Sequence, residues 1–378
     1  MYPVREDLAE AIRSEWDRLS RAGRWWTGEE RVAIAAEARE SRNCRLCADR
    51  RAALTPYAVT GQHATSAIAA ATLPPAVIDA IHRIATDSGR ITDQWYQDVI
   101  AGGASEGQFV EAAGIIALVS TVDAFARGIG RAELALPAPA GGTPSRETPA
   151  GTEVNGTRVP TVAVEKADGD VASYYQQSLD VMGIVSNLQK ALTLVPEEQF
   201  GFIELAFVMN FSFLTNEWLR SITRAQAELL AATVSAENDC YYCTMNHSTM
   251  LRETGLLANP SRDLIEVVKR DETAADALPA GPELRRFARA VLAAGRPGAA
   301  ERSEAAAELD EARAALRAAV GEDGLIDAAA ILASYNQCNL IADASGIQPE
   351  FFHLAAGAAD ATGDATLTLA QSMTERVR

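Results

Sequence analysis

The stretch Glu228-Leu-Leu-Ala-Ala-Thr-Val-Ser-Ala-Glu-Asn-Asp-Cys240-Tyr-Tyr-Cys243-Thr-Met-Asn-His247 decides how this chain folds. Its alanine- and leucine-rich first part favours a helix, Glu237-Asn-Asp interrupts that helix, and a second helix is expected from about Cys240. Cys240 and Cys243 are three residues apart, and Cys243 and His247 are four apart, so all three would lie on one face. The stretch therefore predicts two consecutive helices that carry two thiols, an imidazole and a carboxylate.

These groups together predict redox chemistry. Free N–H groups and the helix dipole at a helix start favour a thiolate over a thiol. His247 could accept a proton, and Glu228 could orient the imidazole as the third member of a nucleophile–base–orienter set. A thiolate formed in this way can attack a peroxide and become a sulfenic acid, which the second thiol converts to a disulfide. No added cofactor is expected.

Two other interpretations of the same residues remain open. Zinc could bind Cys240, Cys243 and His247, or could join both C-x-x-C pairs, Cys44/Cys47 and Cys240/Cys243, in a four-cysteine site, although ligands so close on one helix would crowd a tetrahedral ion. Alternatively, the thiol pair is purely structural and the histidine is an ordinary surface residue. A thioredoxin-like motif is disfavoured because the residues before Cys240 predict a helix rather than a strand.

Length and composition predict a helical protein of two domains. The chain has 378 residues, of which 48% are hydrophobic and 22% charged, so each half has enough residues for its own core. Alanine is abundant, aromatic residues are few and β-branched runs are short, which favours an all-α fold.

The charge and the hydropathy pattern limit the possible partners. A net charge of −17 repels phosphate backbones, so we expect no nucleic-acid partner. The first residues carry no apolar signal segment and no run approaches eighteen apolar residues, so we expect no membrane span and a cytoplasmic location. Five cysteines that include two C-x-x-C pairs suggest redox or metal chemistry in a reducing compartment.

Further helices are expected along the chain. Thr27 and Glu30 form the pattern of a capping box, and Thr223 is placed to cap the helix that carries Glu228. Residues 108–127 predict a long apolar helix with small residues for close packing. A surface helix over 299–319 and a buried helix over 325–345 are expected near the end.

The sequence also suggests an internal duplication. Cys44 and Cys47 align with Cys240 and Cys243 at an offset of 196 residues, and the helices before both pairs begin with threonine. Residues 136–170 are rich in proline and glycine and predict a linker or extended strap. We therefore expect two diverged copies of one helical domain at 1–135 and 171–357, followed by a tail at 358–378.

The two halves differ in their reactive residues. Val32 aligns with Glu228, and Arg51 aligns with His247, so only the two thiols of the motif persist in the first half. Cys44 and Cys47 are therefore predicted to form a degenerate second site. Cys338 is expected to be a small buried hydrophobic residue, and His63, His82 and His353 to be isolated surface or packing residues.

The pattern Glu-x₁₁-Cys-x₂-Cys-x₃-His on two consecutive helices resembles the alkylhydroperoxidase D (AhpD)-like branch of the carboxymuconolactone decarboxylase superfamily. The segment Met182-Gly-Ile-Val-Ser-Asn-Leu-Gln-Lys-Ala-Leu, some sixty residues upstream, resembles the start of that domain. The resemblance covers about 175–260, extends to about 350, and is weak over 1–135. It implies two tandem AhpD-like domains, the first lacking the glutamate and histidine.

The resemblance also implies a role for each residue of the motif. Cys243 would be the peroxidatic thiol, Cys240 the resolving thiol, His247 the base and Glu228 the proton relay. A peroxide or disulfide substrate, a dithiol reductant and a homo-oligomer would follow. The bulky pair Tyr241-Tyr242 between the cysteines departs from the family and leaves the substrate open. The alternatives are a lyase of the same superfamily with His247 as general base, and a non-enzymatic helical protein with a zinc or structural site.

Overall fold

The computed structural model describes residues 2, 4–210, 220–253, 278–299 and 303–350. Of these described residues, 68% are helical and 1% are in strands, which confirms the all-α prediction. The predicted tail at 358–378, and His353, lie outside the described residues.

The described residues form fourteen α-helices and one short hairpin. The helices are α1 (Glu6–Leu19), α2 (Gly28–Glu40), α3 (Arg45–Ala52), α4 (Ala67–Thr72), α5 (Pro75–Asp87), α6 (Asp93–Ala101), α7 (Glu106–Gly128), α8 (Gly169–Met182), α9 (Asn187–Lys190), α10 (Pro196–Met209), α11 (Arg224–Glu237), α12 (Tyr241–Glu253), α13 (Gly281–Ala294) and α14 (Ser303–Ser345). The hairpin pairs β1 (Thr152–Glu153) with β2 (Thr161–Val162) in antiparallel register.

Both predicted threonine caps are confirmed. The Thr27 hydroxyl accepts a hydrogen bond from the Glu30 amide at 3.2 Å, and the Glu30 carboxylate accepts one from the Thr27 amide at 2.8 Å. Thr223 forms the same reciprocal box with Gln226 at the start of α11. These caps satisfy amides that have no partner within the helix, so the starts of α2 and α11 are set by local sequence.

The helix α14 contains a break that the sequence predicts. Gly321 has φ 79° and ψ 179°, which lies outside the helical region and divides the segment into two helices. A positive φ is easily adopted by glycine and strained for other residues. The part before Gly321 is largely exposed and the part from Leu325 onward is largely buried, as expected for 299–319 and 325–345.

The centre of the fold is the contact between α7 and the buried part of α14. Small residues allow the two helices to come close: a Cβ atom added at Gly128 would lie 2.7 Å from the Cβ of Ala329. The helix α2 packs on α5 and α7, whereas α11 packs on α13 and α14. The main buried core is continuous across both halves and includes Cys240 and Cys243, whereas Cys44, Leu46 and Cys47 form a separate small cluster with Val59. The division into two tandem domains remains a prediction.

A buried network of charges also joins the two halves. Arg31 of α2 contacts Glu111 of α7 at 2.5 Å and Glu198 of α10 at 2.9 Å, and Arg18 of α1 also contacts Glu198. Burial raises the pKa of Glu111, whereas Arg18 and Arg31 outweigh burial and lower the pKa of Glu198. Loss of one partner would leave an uncompensated buried charge, so the network constrains how α10 lies on the first half.

The proline- and glycine-rich segment between the halves is attached to both of them, as expected for a strap. The amide of Ala140 donates to the Ser20 carbonyl at 2.7 Å. Further along, the amide of Arg158 donates to the Ser345 carbonyl at 2.7 Å. The strap therefore runs from the first half to the end of α14.

One described helix, α7, is long and apolar enough to cross a membrane, with a mean hydropathy of 1.7 over its most apolar window. Of that window, 94% is buried inside the protein. A core helix of a soluble protein has the same length and composition.

Replacement of Gly89 by alanine tests the packing of the first half on the turn before Cys240. A Cβ at Gly89 would lie 2.7 Å from the carbonyl oxygen of Asn238 and 2.8 Å from that of Asp239. Since backbone atoms cannot move aside as a side-chain end can, we expect Gly89→Ala to lower the free energy of unfolding by about 1–3 kcal/mol. Urea denaturation measures the change.

Gly141 provides the matched control. A Cβ there would meet no atom within 4 Å, so Gly141→Ala should change the free energy of unfolding by less than about 0.5 kcal/mol. Equal stability of the Gly89 variant and the wild-type protein would contradict the close contact.

Candidate functional site

Cys240 lies immediately before α12, and Cys243 lies in its first turn, as predicted. The preceding residue, Asp239, has φ 59°, a left-handed conformation that turns the chain sharply between α11 and α12. The Cys240 carbonyl accepts the Thr244 amide at 3.0 Å and so begins the helical hydrogen-bonding pattern. Cys240 and Cys243 are 0% and 2% exposed, so both thiols are removed from water.

Glu228 and His247 meet as the sequence predicts. The Nδ1 atom of His247 lies 2.9 Å from a carboxylate oxygen of Glu228, and Arg224 donates to the other oxygen at 2.6 Å. Burial alone would raise the pKa of Glu228, but the hydrogen bond to His247 and the charge of Arg224 outweigh it and lower that pKa. Glu228 is therefore held as a carboxylate beside the imidazole.

Tyr335 of α14 helps to fix the imidazole. Its ring meets the ring of His247 edge to face, with centroids 4.3 Å apart and planes at 68°. The Tyr335 hydroxyl accepts a hydrogen bond from the Asn210 side chain at 2.6 Å. The orientation of His247 is thus set from both sides, by Glu228 of α11 and by Tyr335 of α14.

Burial and neighbouring groups act on the Cys240 thiol. Burial raises the pKa of Cys240 well above its ordinary value, and a hydrogen bond to Cys243 and the charge of Asp343 raise it further. Cys240 therefore stays protonated and can donate its S–H to Cys243. Cys338 of α14 is 1% exposed, as predicted, and burial together with the charge of Cys243 raises its pKa.

Asp343 connects this site to the first half of the chain. Its carboxylate accepts a hydrogen bond from the Ser88 hydroxyl at 2.9 Å. Removal of the carboxyl from water raises its pKa to about 7, although hydrogen bonds from Cys240 and Ser88 act in the opposite direction. The site therefore contains a carboxyl group that ionises near neutral pH.

The surroundings of Cys44 and Cys47 contradict one prediction. His63 and His82, expected to be isolated surface or packing residues, both point Nδ1 at these thiols. His63 Nδ1 lies 3.5 Å from Cys44 Sγ and 3.6 Å from Cys47 Sγ, and His82 Nδ1 lies 3.2 Å from Cys47 Sγ. The expectation failed because the loop before α4 and the helix α5 bring residues distant in sequence to the start of α3.

Each of these histidines is also bound by a carboxylate. His63 Nε2 lies 2.9 Å from Asp79, and His82 Nε2 lies 2.8 Å from Glu37. The first half therefore has imidazoles and carboxylates near its thiols, although the aligned positions are Val32 and Arg51. A C-x₂-C pair followed by two histidines within forty residues was the available sequence signal.

In the first half, the pKa values of the two thiols are shifted in opposite directions. A hydrogen bond with Cys47 lowers the pKa of Cys44, burial opposes this, and contacts with His63 and His82 lower the pKa further. The same hydrogen bond, together with burial, raises the pKa of Cys47. The pair can therefore share one proton.

Arg51, aligned with His247, has no contact of the kind that His247 makes with Glu228. Its guanidinium donates to the Thr86 carbonyl at 2.7 Å, and Val32 offers no carboxylate. Arg51 thus contributes to the packing between α3 and α5 and not to an acid–base pair. The two C-x-x-C pairs therefore occupy similar helix starts and have different side-chain partners.

No family model matches the chain, and the search of curated proteins found no match. The AhpD-like resemblance therefore remains a prediction that rests on the motif.

Replacement of Asp343 by asparagine tests the carboxyl next to Cys240. A carboxyl whose pKa is higher in the folded protein than in the unfolded chain makes folding less favourable as pH rises from about 4 through about 7. Asparagine cannot ionise and can still accept from Ser88. We expect Asp343→Asn to become more stable than the wild-type protein as pH rises across this interval, measured by urea denaturation at several pH values.

Asp323→Asn, which alters an exposed carboxyl of the same helix α14, is the control and should leave the pH dependence unchanged. Parallel stability curves for Asp343→Asn and the wild-type protein would contradict the raised pKa. Arg158 and Asp239 also act on Asp343 through their charges, so ionic strength is held constant.

Proposed function

We propose that the chain is a thiol-dependent peroxidase or thiol–disulfide oxidoreductase of the AhpD-like type, with its redox site in the second half. The observation that carries this proposal is the 2.9 Å contact between Glu228 and His247 beside a buried thiol pair at a helix start. A general base oriented by a carboxylate is the arrangement that activates a thiol nucleophile.

The contact with Glu228 assigns the histidine tautomer. Because Nδ1 faces an ionised carboxylate, it carries the hydrogen and Nε2 keeps its lone pair. Nε2 of His247 can then accept the proton of Cys243, and Glu228 stabilises the imidazolium that forms. Cys240, which burial keeps protonated, is suited to be the resolving thiol.

The reaction balances as follows. The Cys243 thiolate attacks a peroxide oxygen, the O–O bond breaks, and the leaving oxygen takes a proton to form an alcohol or water. Cys243 becomes a sulfenic acid; the sulfur of Cys240 then attacks the sulfur of Cys243, and the displaced hydroxyl leaves as water with the proton of Cys240, which gives a disulfide. A dithiol reductant restores both thiols through a mixed disulfide. Because Cys243 is 2% exposed, a small peroxide reaches it more easily than a protein disulfide does.

The tandem architecture belongs to the same proposal. The capped helix α2 followed by α3 has its counterpart in α11 followed by α12, and each pair begins its second helix at a C-x-x-C. The packing of α2 on α5 and α7 and of α11 on α13 and α14 supports a duplicated unit. In such a chain the first half would supply the neighbour that single-domain members obtain by forming homo-oligomers, although further oligomerisation remains part of the proposal.

Substitution of each thiol tests the proposed roles. Cys243→Ser should abolish dithiol-dependent consumption of hydrogen peroxide, because serine is not a nucleophile of this kind. Cys240→Ser should retain one sulfenic acid per chain, detectable with a dimedone probe, and should lose turnover. Full activity in Cys243→Ser would overturn the proposal.

Glu228→Gln tests the orientation of the histidine. Glutamine removes the negative charge, so we expect the second-order rate constant with hydrogen peroxide to fall by about 10²-fold, the scale of general-base assistance. Glu237→Gln, at the end of the same helix, is the control, since Glu237 pairs with Arg289 and Arg296 on the surface side. Equal rate constants for both variants would remove Glu228 from the mechanism.

A further inference from the structure

We propose that Cys44, Cys47, His63 and His82 form a zinc site that closes the first half of the chain. The four candidate ligand atoms, two Sγ and two Nδ1, all lie within 4.8 Å of one another. Among the described residues, this is the one group of three or more potential ligands that lie so close together. The proposal is independent of the redox chemistry at Cys243.

The distances fit a tetrahedral ion. With metal–sulfur bonds of about 2.3 Å and metal–nitrogen bonds of about 2.0–2.1 Å, tetrahedral angles place sulfur and nitrogen about 3.6 Å apart. The separations between sulfur and Nδ1 are 3.5 Å for Cys44 and His63, 3.6 Å for Cys47 and His63, and 3.2 Å for Cys47 and His82. The ligands are thus already arranged around a point that can hold the ion without a large movement of the backbone.

The hydrogen bonds of the two histidines leave the ring nitrogen that faces the thiols free to bind a metal. In both imidazoles, Nδ1 faces the thiols and Nε2 forms a hydrogen bond with a carboxylate. The carboxylate is that of Asp79 for His63 and that of Glu37 for His82. A carboxylate on the second nitrogen fixes the tautomer, orients the ring and increases its donor strength toward a metal. A histidine used only for packing would have no reason to direct its free nitrogen at two sulfur atoms.

The carboxylates are themselves held in place. Asp79 accepts hydrogen bonds from Arg50 at 2.9 Å and from the Trp95 indole at 2.8 Å. Glu37 accepts from the Ser66 amide at 3.0 Å and from the Ser66 hydroxyl at 2.7 Å. These second partners leave the carboxylates little freedom to rotate away from the histidines, so the ligand geometry is fixed before the ion arrives.

The composition of the site favours zinc and a structural role. Two thiolates and two imidazoles in tetrahedral geometry are typical of zinc, and four protein ligands leave no position for water or substrate. Cys44, Cys47 and His82 are at most 2% exposed, and the His63 side chain is 11% exposed. The ion would attach the irregular segment before α4, which carries His63, to α3 and α5.

Metal analysis of the full-length protein tests this proposal. Protein reconstituted anaerobically with zinc and freed of excess metal should contain one zinc per chain by plasma mass spectrometry. Substitution with cobalt(II) should give the thiolate charge-transfer band and the strong visible bands of a tetrahedral site. Zinc absent from folded, reconstituted protein would overturn the proposal.

Paired cysteine variants locate the ion. Cys44→Ser/Cys47→Ser should lose the zinc, whereas Cys240→Ser/Cys243→Ser should keep it. Far-UV circular dichroism verifies that both variants are helical. Zinc lost from the second variant and kept by the first would place the ion elsewhere and refute this site.

Asp79→Asn provides a test that keeps all four ligands. Loss of the carboxylate behind His63 should weaken zinc affinity about 10–100-fold in competition with a chelator. Asp49→Asn, which alters an exposed carboxylate of α3 that pairs with Arg45, is the control and should leave the affinity unchanged. An unchanged affinity in Asp79→Asn would contradict the role of His63 as a ligand.

Discussion

The close contact between α7 and α14 is the constraint on which the rest of the structure depends. Small residues bring the two backbones together, and at Gly128 there is no room for a Cβ beside Ala329. The helices α2 and α5 lie against α7, and α11 and α13 lie against α14. Each C-x-x-C begins the helix that follows α2 or α11. A larger residue at Gly128 would push α7 and α14 apart and disturb the continuous core that contains Cys240 and Cys243, whereas Cys44 and Cys47 pack with Leu46 and Val59 in a separate cluster.

Both C-x-x-C pairs lie at the start of a helix, and different side chains surround the two pairs. In both halves the first cysteine precedes a helix and its carbonyl accepts the amide four residues on. In the second half, the imidazole is that of His247, which lies on the same helix one turn beyond Cys243. Its Nδ1 forms a hydrogen bond with Glu228. In the first half, the imidazoles of His63 and His82 come from other segments, and their Nδ1 atoms face the sulfur atoms. The partners of the thiols, and not their position on the helix, distinguish the two sites.

Local sequence predicted what local physics determines. The threonine caps, the break at Gly321 and the pairing of Glu228 with His247 depend on residues within about one or two helices, where helical periodicity fixes which side chains share a face. The cluster around Cys47 depends on His82, which is 35 residues away, and on a loop without periodicity. Spacing alone cannot give the path of such a loop, because tertiary packing decides it. The small residues of 108–127 predicted that this helix can pack closely against another one. They did not identify α14 as the partner.

The number of free donor atoms explains why one chain could hold a metal and a redox thiol on similar helices. Around Cys44 and Cys47, two thiols and two imidazole nitrogens make four donors, which is enough to enclose a zinc ion and leave no sulfur available to a substrate. Among the described residues, the imidazole on the helix of Cys243 is that of His247, and its Nδ1 faces Glu228. Two thiols and one remaining nitrogen do not complete a tetrahedron, which agrees with the proposed role of Cys243 as a nucleophile and not as a metal ligand. Under these two proposals, similar thiol pairs are divided between stability and reactivity by the number of imidazole nitrogens within reach of the sulfur atoms.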